Sequence, residues 1–151
     1  MNRRFALNAL AALSLPLALP SIAATSFPEV HVFKSPYCGC CGAWVDHLQA
    51  AGFAIKVTDV NDTTAARERL GMPDKFGSCH TATVASYVLE GHVPADEVKR
   101  LLAEKPKAIG LAVPGMPPSS PGMDVPGRGD PYDVFLIARN GQESVYAHYP
   151  K

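Results

Sequence analysis

An excess of charge of either sign is missing from this sequence. Its 14 lysines and arginines balance 14 aspartates and glutamates, for a formal net charge of zero. A nucleic-acid partner therefore has no electrostatic support, since such binders carry a basic surface. No paired acids are arranged for general acid/base hydrolysis, no Ser/His/Asp order appears, and no glycine-rich loop is built to cradle phosphate. Extended disorder is also excluded over most of the chain, because apolar residues make up 47% of it and recur in periodic runs. A chain of 151 residues is long enough for one domain with a real core.

A long apolar span is missing as well, which favours a cleaved leader over the alternative of a retained membrane anchor. The longest uncharged apolar run, Phe5 to Pro20, is interrupted by prolines and falls short of the ~20 residues that a span needs. Asn2-Arg3-Arg4 precedes it and the small residues Ser21-Ile22-Ala23 follow. That pattern reads as a secretory signal peptide over residues 1–23, cleaved after Ala23, and leaves residues 24–151 as the mature domain. Arg3-Arg4 fits a twin-arginine signal poorly. Removal of the leader leaves 12 basic against 14 acidic residues, so the mature domain is mildly acidic. No retained span is expected, and the destination is periplasmic.

Cysteine is scarce but concentrated. Three of the four fall in Cys38-Gly39-Cys40-Cys41-Gly42, and the fourth stands in Gly77-Ser78-Cys79-His80-Thr81. Packing gives no reason for three thiols in four positions. Thiol–disulfide exchange and thiolate binding of a soft metal both do. Exported thiols tend to pair, yet adjacent Cys40 and Cys41 bridge only with strain, so a plain disulfide framework fits badly. Cys38 and Cys41 form a Cys-x-x-Cys pair suited to dithiol exchange, in which Cys40 would be a competing third thiol. Cu(I) gives Cys40 a task, because it favours sulfur and tolerates low coordination numbers. Zinc accepts four sulfurs too, but adjacent cysteines make a closed tetrahedron awkward.

The periodicities around these motifs alternate between strand and helix. Glu29–Lys34 alternates as a strand, and a helix is predicted from Cys40 or Cys41 through Gln49, with Trp44, Val45 and Leu48 inward. Phe53–Val60 reads as a strand, and Asn61 or Asp62 caps a helix reaching Leu70. Thr81–Tyr87 and Val88–Val93 read as a strand and its continuation or return. Pro94 opens a helix on Val98, Leu101 and Leu102. Gly110–Pro131 is a long Gly/Pro-rich loop of the kind that is functional or disordered. Tyr132–Ala138 and Ser144–Tyr149 make a hairpin about Asn140-Gly141. The order predicts an α/β sandwich with a mixed sheet. Its cysteines sit at a strand-to-helix junction, as in thioredoxin-like domains, where helix amides and dipole favour thiolates. Cys79, in the loop entering a later strand, is expected to face that junction.

Soft and borderline donors elsewhere are candidates for the same centre. Pro114-Gly115-Met116 and Pro121-Gly122-Met123 repeat seven residues apart in the long loop, and a thioether suits Cu(I) outside the cytoplasm. Met116 and Met123 are read as ligands or lid residues, against the commoner role of a hydrophobic plug. His80 adjoins Cys79 and is either a ligand or a solvent-facing loop residue. His92, in a turn of Glu90-Gly91-His92-Val93-Pro94, is placed to approach the cluster. His31 is expected in the core, His47 on the exposed side of the first helix, His148 without a companion, and Trp44 in the core.

Four segments in order carry a family resemblance: Cys38-Gly39-Cys40-Cys41-Gly42-Ala43-Trp44, Ser78-Cys79-His80-Thr81-Ala82, Glu90-Gly91-His92-Val93-Pro94-Ala95 and Gly110-Leu111-Ala112-Val113-Pro114-Gly115-Met116-Pro117. Over Glu29 to Tyr149 the chain closely resembles the CopG-type copper-resistance proteins, small exported bacterial proteins unrelated to the plasmid repressor of that name. Ser119-Ser120 departs from the family's small-residue pair in the methionine loop. The resemblance implies a thioredoxin-like fold and a copper site on Cys38, Cys40, Cys41 and Cys79. It further implies several copper ions in a cluster, cycled between Cu(I) and Cu(II). The expected role is copper tolerance, with a copper exporter or periplasmic copper chaperone as partner. A thiol–disulfide oxidoreductase using Cys38 and Cys41 is one alternative, and passive sequestration or delivery for an exporter is another.

Overall fold

The computed structural model describes residues 26–150, so the signal-peptide reading of residues 1–23 lies outside the described residues. A seven-stranded mixed sheet forms the frame. Its strands are β1 (Val30–Lys34), β2 (Ile55–Asp59), β3 (His80–Val84), β4 (Tyr87–Glu90), β5 (Ala108–Ala112), β6 (Tyr132–Ala138) and β7 (Glu143–Tyr149). They lie in the order β2-β1-β3-β4-β5-β6-β7. The helices are α1 (Gly39–Ala50), α2 (Thr63–Arg69) and α3 (Ala95–Glu104), with a 3₁₀ turn at Asp74–Phe76.

Local chemistry sets the helix boundaries. Asp62 caps α2 by accepting from the Thr64 and Ala65 amides at 2.9 and 3.1 Å. Pro94, with its φ near −62°, precedes α3 and needs no donor there. α1 starts one residue earlier than the periodicity suggests, on Gly39, with Cys38 as its N-cap and no side-chain cap bond. Alternation along the strands separates two cores. Leu89 joins Trp44, Leu48, Val98 and Leu101 on the face shared by α1 and α3. Its neighbour Val88 points the other way and packs with Met72, Phe76, Ala112 and Ile137. Met72 is therefore a core residue.

One boundary differs from the sequence expectation. Ala108–Ala112 is a strand, parallel to β4 and antiparallel to β6, so the long loop begins after Ala112 rather than at Gly110. Glycine is what permits the pairing, because a Cβ at Gly110 would stand 1.7 Å from the Val88 carbonyl oxygen. Its presence suggested a loop when it marked a close backbone approach instead.

Strand directions decide where the chemistry collects. β1 and β3 are antiparallel with Lys34 opposite His80, so the exit of β1 lies beside the entry of β3. Glu90 at the end of β4 pairs with Thr81, and Ala112 at the end of β5 pairs with Glu90. The cysteine turn, Cys79, His92 and the Val113–Pro131 loop thus all leave the sheet at one end.

Candidate metal centre

Four cysteine sulfurs meet at that end, all within 4.8 Å of one another. Cys38 and Cys41 are joined in a disulfide with Cα atoms 5.3 Å apart, while Cys40 and Cys79 are free. Cys40 Sγ stands 3.5 Å from Cys38 Sγ and 3.9 Å from Cys79 Sγ. Cys41 is fully buried, its sulfur 3.7 Å from the Cys79 carbonyl oxygen. The i, i+3 spacing across the first turn of α1 brings Cys38 and Cys41 to bonding distance, and leaves Cys40 pointing toward Cys79.

Two imidazoles complete a second donor group. Cys79, His80 and His92 also lie mutually within 4.8 Å. His92 Nε2 is 3.1 Å and His80 Nδ1 3.4 Å from Cys79 Sγ. His92 Nδ1 sits 2.8 Å from the Pro121 carbonyl, which can only accept, so Nδ1 carries the proton and Nε2 offers its lone pair. A backbone carbonyl behind an imidazole is the arrangement that orients histidine ligands in metal sites. The solvent-facing reading of His80 is wrong: it opens β3 and is fully buried, its ring 4.4 Å from that of Trp44. Trp44 is anchored by its indole N–H donating to Val93 O at 2.8 Å. Among the described residues, His80 Nε2 has no hydrogen-bond partner.

Burial dominates the protonation of these groups. It pushes the His80 imidazole down to about 3, with His92 adding to the fall against a smaller opposing effect of the Gly91 backbone. His92 is lowered by burial as well, partly countered by the Pro121 carbonyl. Both rings are neutral and able to coordinate at neutral pH. Cys79 is pushed up to about 12, first by burial and then by the charge of Cys40 beside it. A metal bound at Cys79 must therefore displace a proton.

Three further residues hold the Cys79 loop. Glu90, fully buried, accepts from the Ser78 amide at 2.7 Å and from Arg67 at 3.3 Å. Arg67 also bridges to Asp74 at 3.2 Å. Burial raises the Glu90 carboxyl to about 7 against the pull of the Ser78 amide and Arg67. Sequence reading missed this network. The signal was a lone acid in a strand beside Gly91-His92, without its partners in view.

The methionine loop reaches the site through its backbone. Pro121 O holds His92, and Gly122 lies against α1, where a Cβ would come within 2.6 Å of the Trp44 amide nitrogen. Gly122 has φ +85°, a conformation that glycine adopts without strain. Gly115 O accepts from the Ser78 hydroxyl and Gly115 N donates to Gly77 O. Met116, next to Gly115, is 53% exposed, and Met123, next to Gly122, is half-buried. Both thus sit beside residues tied to the site's rim. The other histidines are elsewhere, and His31 alone keeps part of its expected place, as a strand residue whose ring is satisfied. His31 is half-buried against Thr58, and His47 Nε2 accepts from the Ala95 amide at the start of α3. His148 has a companion, Asp133, at 2.7 Å.

Comparison with known proteins agrees with the motifs. The profile of the family described as "Protein of unknown function, DUF411" matches residues 76–123. No curated protein sequence matches the chain. A solved structure titled "Copper resistance protein copG- Form 2" is 43% identical, with TM-score 0.77, covering 82% of this chain and 98% of that one. A second, "Copper resistance protein copG- Form 1", is 42% identical with TM-score 0.77, covering 83% of this chain and 99% of its own. With that identity over nearly the whole described domain, the chain belongs to the CopG-type family of copper-resistance proteins.

Proposed function

We propose that this chain is an exported copper-tolerance protein that holds Cu(I) on the thiolates of Cys38, Cys40, Cys41 and Cys79. His80, His92, Met116 and Met123 are its auxiliary donors. The observation that carries the reading is the convergence of four sulfurs within 4.8 Å at one end of the sheet. Soft thiolates select Cu(I), and sulfurs this close can be shared between ions, which suits a site for more than one copper. Adjacent Cys40 and Cys41 cannot readily take two corners of one closed zinc tetrahedron.

The Cys38–Cys41 disulfide withdraws two of the four thiolates, so full loading requires a reduced protein. Export is supported by the N-terminal pattern, and a periplasmic address follows from it; among the described residues no helix is long and apolar enough to cross a membrane. The strand order β2-β1-β3-β4, with the cysteines between β1 and α1, supports reading the first part as thioredoxin-like. Delivery to, or receipt from, an exporter or a copper chaperone fits a site at the molecular edge. Anaerobic titration of the reduced protein tests the reading: it should bind more than one Cu(I) per chain and far less zinc. Cys40→Ser should lower the stoichiometry while leaving Cys38 and Cys41 in place. A Cys40→Ser protein that loads like wild type would sink it.

One observation favours a second reading, that of a thiol–disulfide oxidoreductase. The Cys38–Cys41 bridge lies at the start of α1, where the helix amides stabilise a released thiolate. Catalytic reduction of insulin disulfides by the metal-free protein, with copper acting only as an inhibitor, would decide for that class.

A further inference from the structure

We propose that closing the Cys38–Cys41 bridge leaves a separate mononuclear site for a divalent transition ion, built on Cys79, His80 and His92. The inference rests on the copper reading for its site but concerns the oxidised state, in which the four-thiolate set no longer exists. The two donor groups share Cys79 alone. One loses two sulfurs when the bridge closes, and the other contains neither bridged cysteine. Oxidation thus breaks up the soft all-sulfur set, leaving Cys40 as a lone thiol beside Cys79, and keeps intact the group of one sulfur and two imidazoles, a mixed set that suits divalent ions.

The second group is built in advance. His92 Nε2 and His80 Nδ1 lie 3.1 and 3.4 Å from Cys79 Sγ. The Pro121 carbonyl fixes the His92 tautomer that leaves Nε2 free to bind. Trp44 packs against the His80 ring and is itself tethered to Val93 O, so the ring has little freedom to swing away. Both histidines are fully buried, and Cys79 is the partly exposed member through which an ion enters. Three protein donors leave a coordination position for solvent or a partner's ligand.

The redox step balances simply. A small dithiol gives two electrons and two protons to the bridge, yields the Cys38 and Cys41 thiols, and itself closes to a disulfide. In the reverse direction, an azo oxidant such as diamide takes up the two electrons and two protons and becomes a hydrazine. The protein would therefore change the class of ion it holds with the state of one bridge.

Co(II) serves as the probe, because a cysteine thiolate bound to it gives a near-ultraviolet charge-transfer band. The experiment uses Cys40→Ser protein, so that Cys79 has no free thiol beside it, oxidised with diamide and shown by alkylation and mass spectrometry to retain one reactive thiol. The expected result is one equivalent of Co(II) with a thiolate band. Affinity should fall tenfold or more in Cys40→Ser/His92→Gln, and the band should be absent in Cys40→Ser/Cys79→Ser. No thiolate band in the oxidised parent overturns the inference, as does a band unaffected by His92→Gln. Cu(I) uptake by reduced wild type is measured in parallel by competition with a chromogenic chelator. Failure of Cu(I) uptake with Co(II) binding intact rejects the copper reading alone, and the converse rejects this inference alone.

Discussion

Two loops meet over the cysteines, and they are held in opposite ways. Gly77–Cys79 is pinned from beneath by a buried carboxylate on the Ser78 amide, backed by Arg67 and Asp74. Val113–Pro131 is held largely by its own backbone turns, such as Ser120 N to Pro117 O and Val125 N to Pro118 O. It touches the site through Pro121 O, Gly122 and Gly115. Among the described residues its one ion pair, Arg128–Asp130, is solvent-exposed and adds little. The contrast suggests a division of labour. The loop that carries a sulfur is fixed by a buried ionic network, and the loop that covers it by backbone contacts and close packing at Gly122.

The largest effect should come from the pinned side. Arg67→Ala strips the partner from a fully buried Glu90, and such losses cost about 3 kcal/mol. Glu90→Gln should cost much less, since the amide oxygen still accepts from Ser78 N. Urea denaturation of the metal-free protein separates them. Equal losses would mean that the carboxylate charge itself, rather than the Ser78 bond, holds the loop.

The same network gives a pH signature. Glu90 is held at about 7 in the fold against an ordinary 4.5, so the folded state binds the extra proton between those values and stability falls as pH rises across them. His80 works the other way. Its imidazole is depressed from 6.5 to about 3, so the unfolded chain takes up the proton first and stability rises with pH over that window. The two slopes oppose each other between 4.5 and 6.5. Glu90→Gln should unmask the His80 slope, seen as a urea midpoint that climbs steadily from acid toward pH 6.5. A midpoint profile unchanged from wild type would show that Glu90 does not titrate there.

How much of this was legible in the sequence follows the same divide between local and distant causes. Trp44, Val45 and Leu48 announced α1 by their spacing, and Asn140-Gly141 announced the last hairpin, because both signals lie within a few residues. The meeting of Cys79 with the first three cysteines was readable too, from element order and the strand-to-helix junction. What failed was pairing at long range. Arg67 and Glu90 are 23 residues apart, and neither has a motif that points to the other. The solvent-facing alternative for His80 failed because its burial depends on Trp44 and the register of β3, not on its neighbours in the chain. His47 was assigned to water although its position lets it accept from Ala95, 48 residues away. The Cys38–Cys41 bridge was foreseeable from the i, i+3 spacing, whereas the role of Pro121 behind His92 was not.

A smaller effect is expected where the covering loop touches α1. Gly122→Ala puts a Cβ within 2.6 Å of the Trp44 amide nitrogen at a φ of +85°, so the loop must shift. The cost should exceed about 1 kcal/mol, since the Cβ meets backbone atoms of Trp44 and Cys40 and the positive φ disfavours alanine. Because Pro121 O shifts with it, the His92 ring loses its orienting partner. Cu(I) transfer to a chelator should quicken by more than the stability loss predicts. A rate that tracks stability alone would deny the loop any role in holding the site.

The smallest change, and the sharpest test of the covering loop, is Met116→Leu. Met116 is 53% exposed, so its side chain contributes little to packing, and exposed substitutions of similar size usually stay within about 0.5 kcal/mol. Thermal or urea stability should therefore be unchanged. The thioether is what disappears, and leucine cannot donate to Cu(I). The backbone of Gly115 is tied to Ser78, next to Cys79, so Met116 follows a residue anchored to the Cys79 loop. Cu(I) should transfer to a chelator several-fold faster from Met116→Leu than from wild type. Met123→Leu should show a weaker acceleration, because Met123 follows a glycine packed on α1 rather than one bonded to the Cys79 loop. Equal release rates for wild type and Met116→Leu would reduce the loop to the bland role of a cover. A faster Met123→Leu than Met116→Leu would place the sulfur contact on the α1 side, where Gly122 already rests.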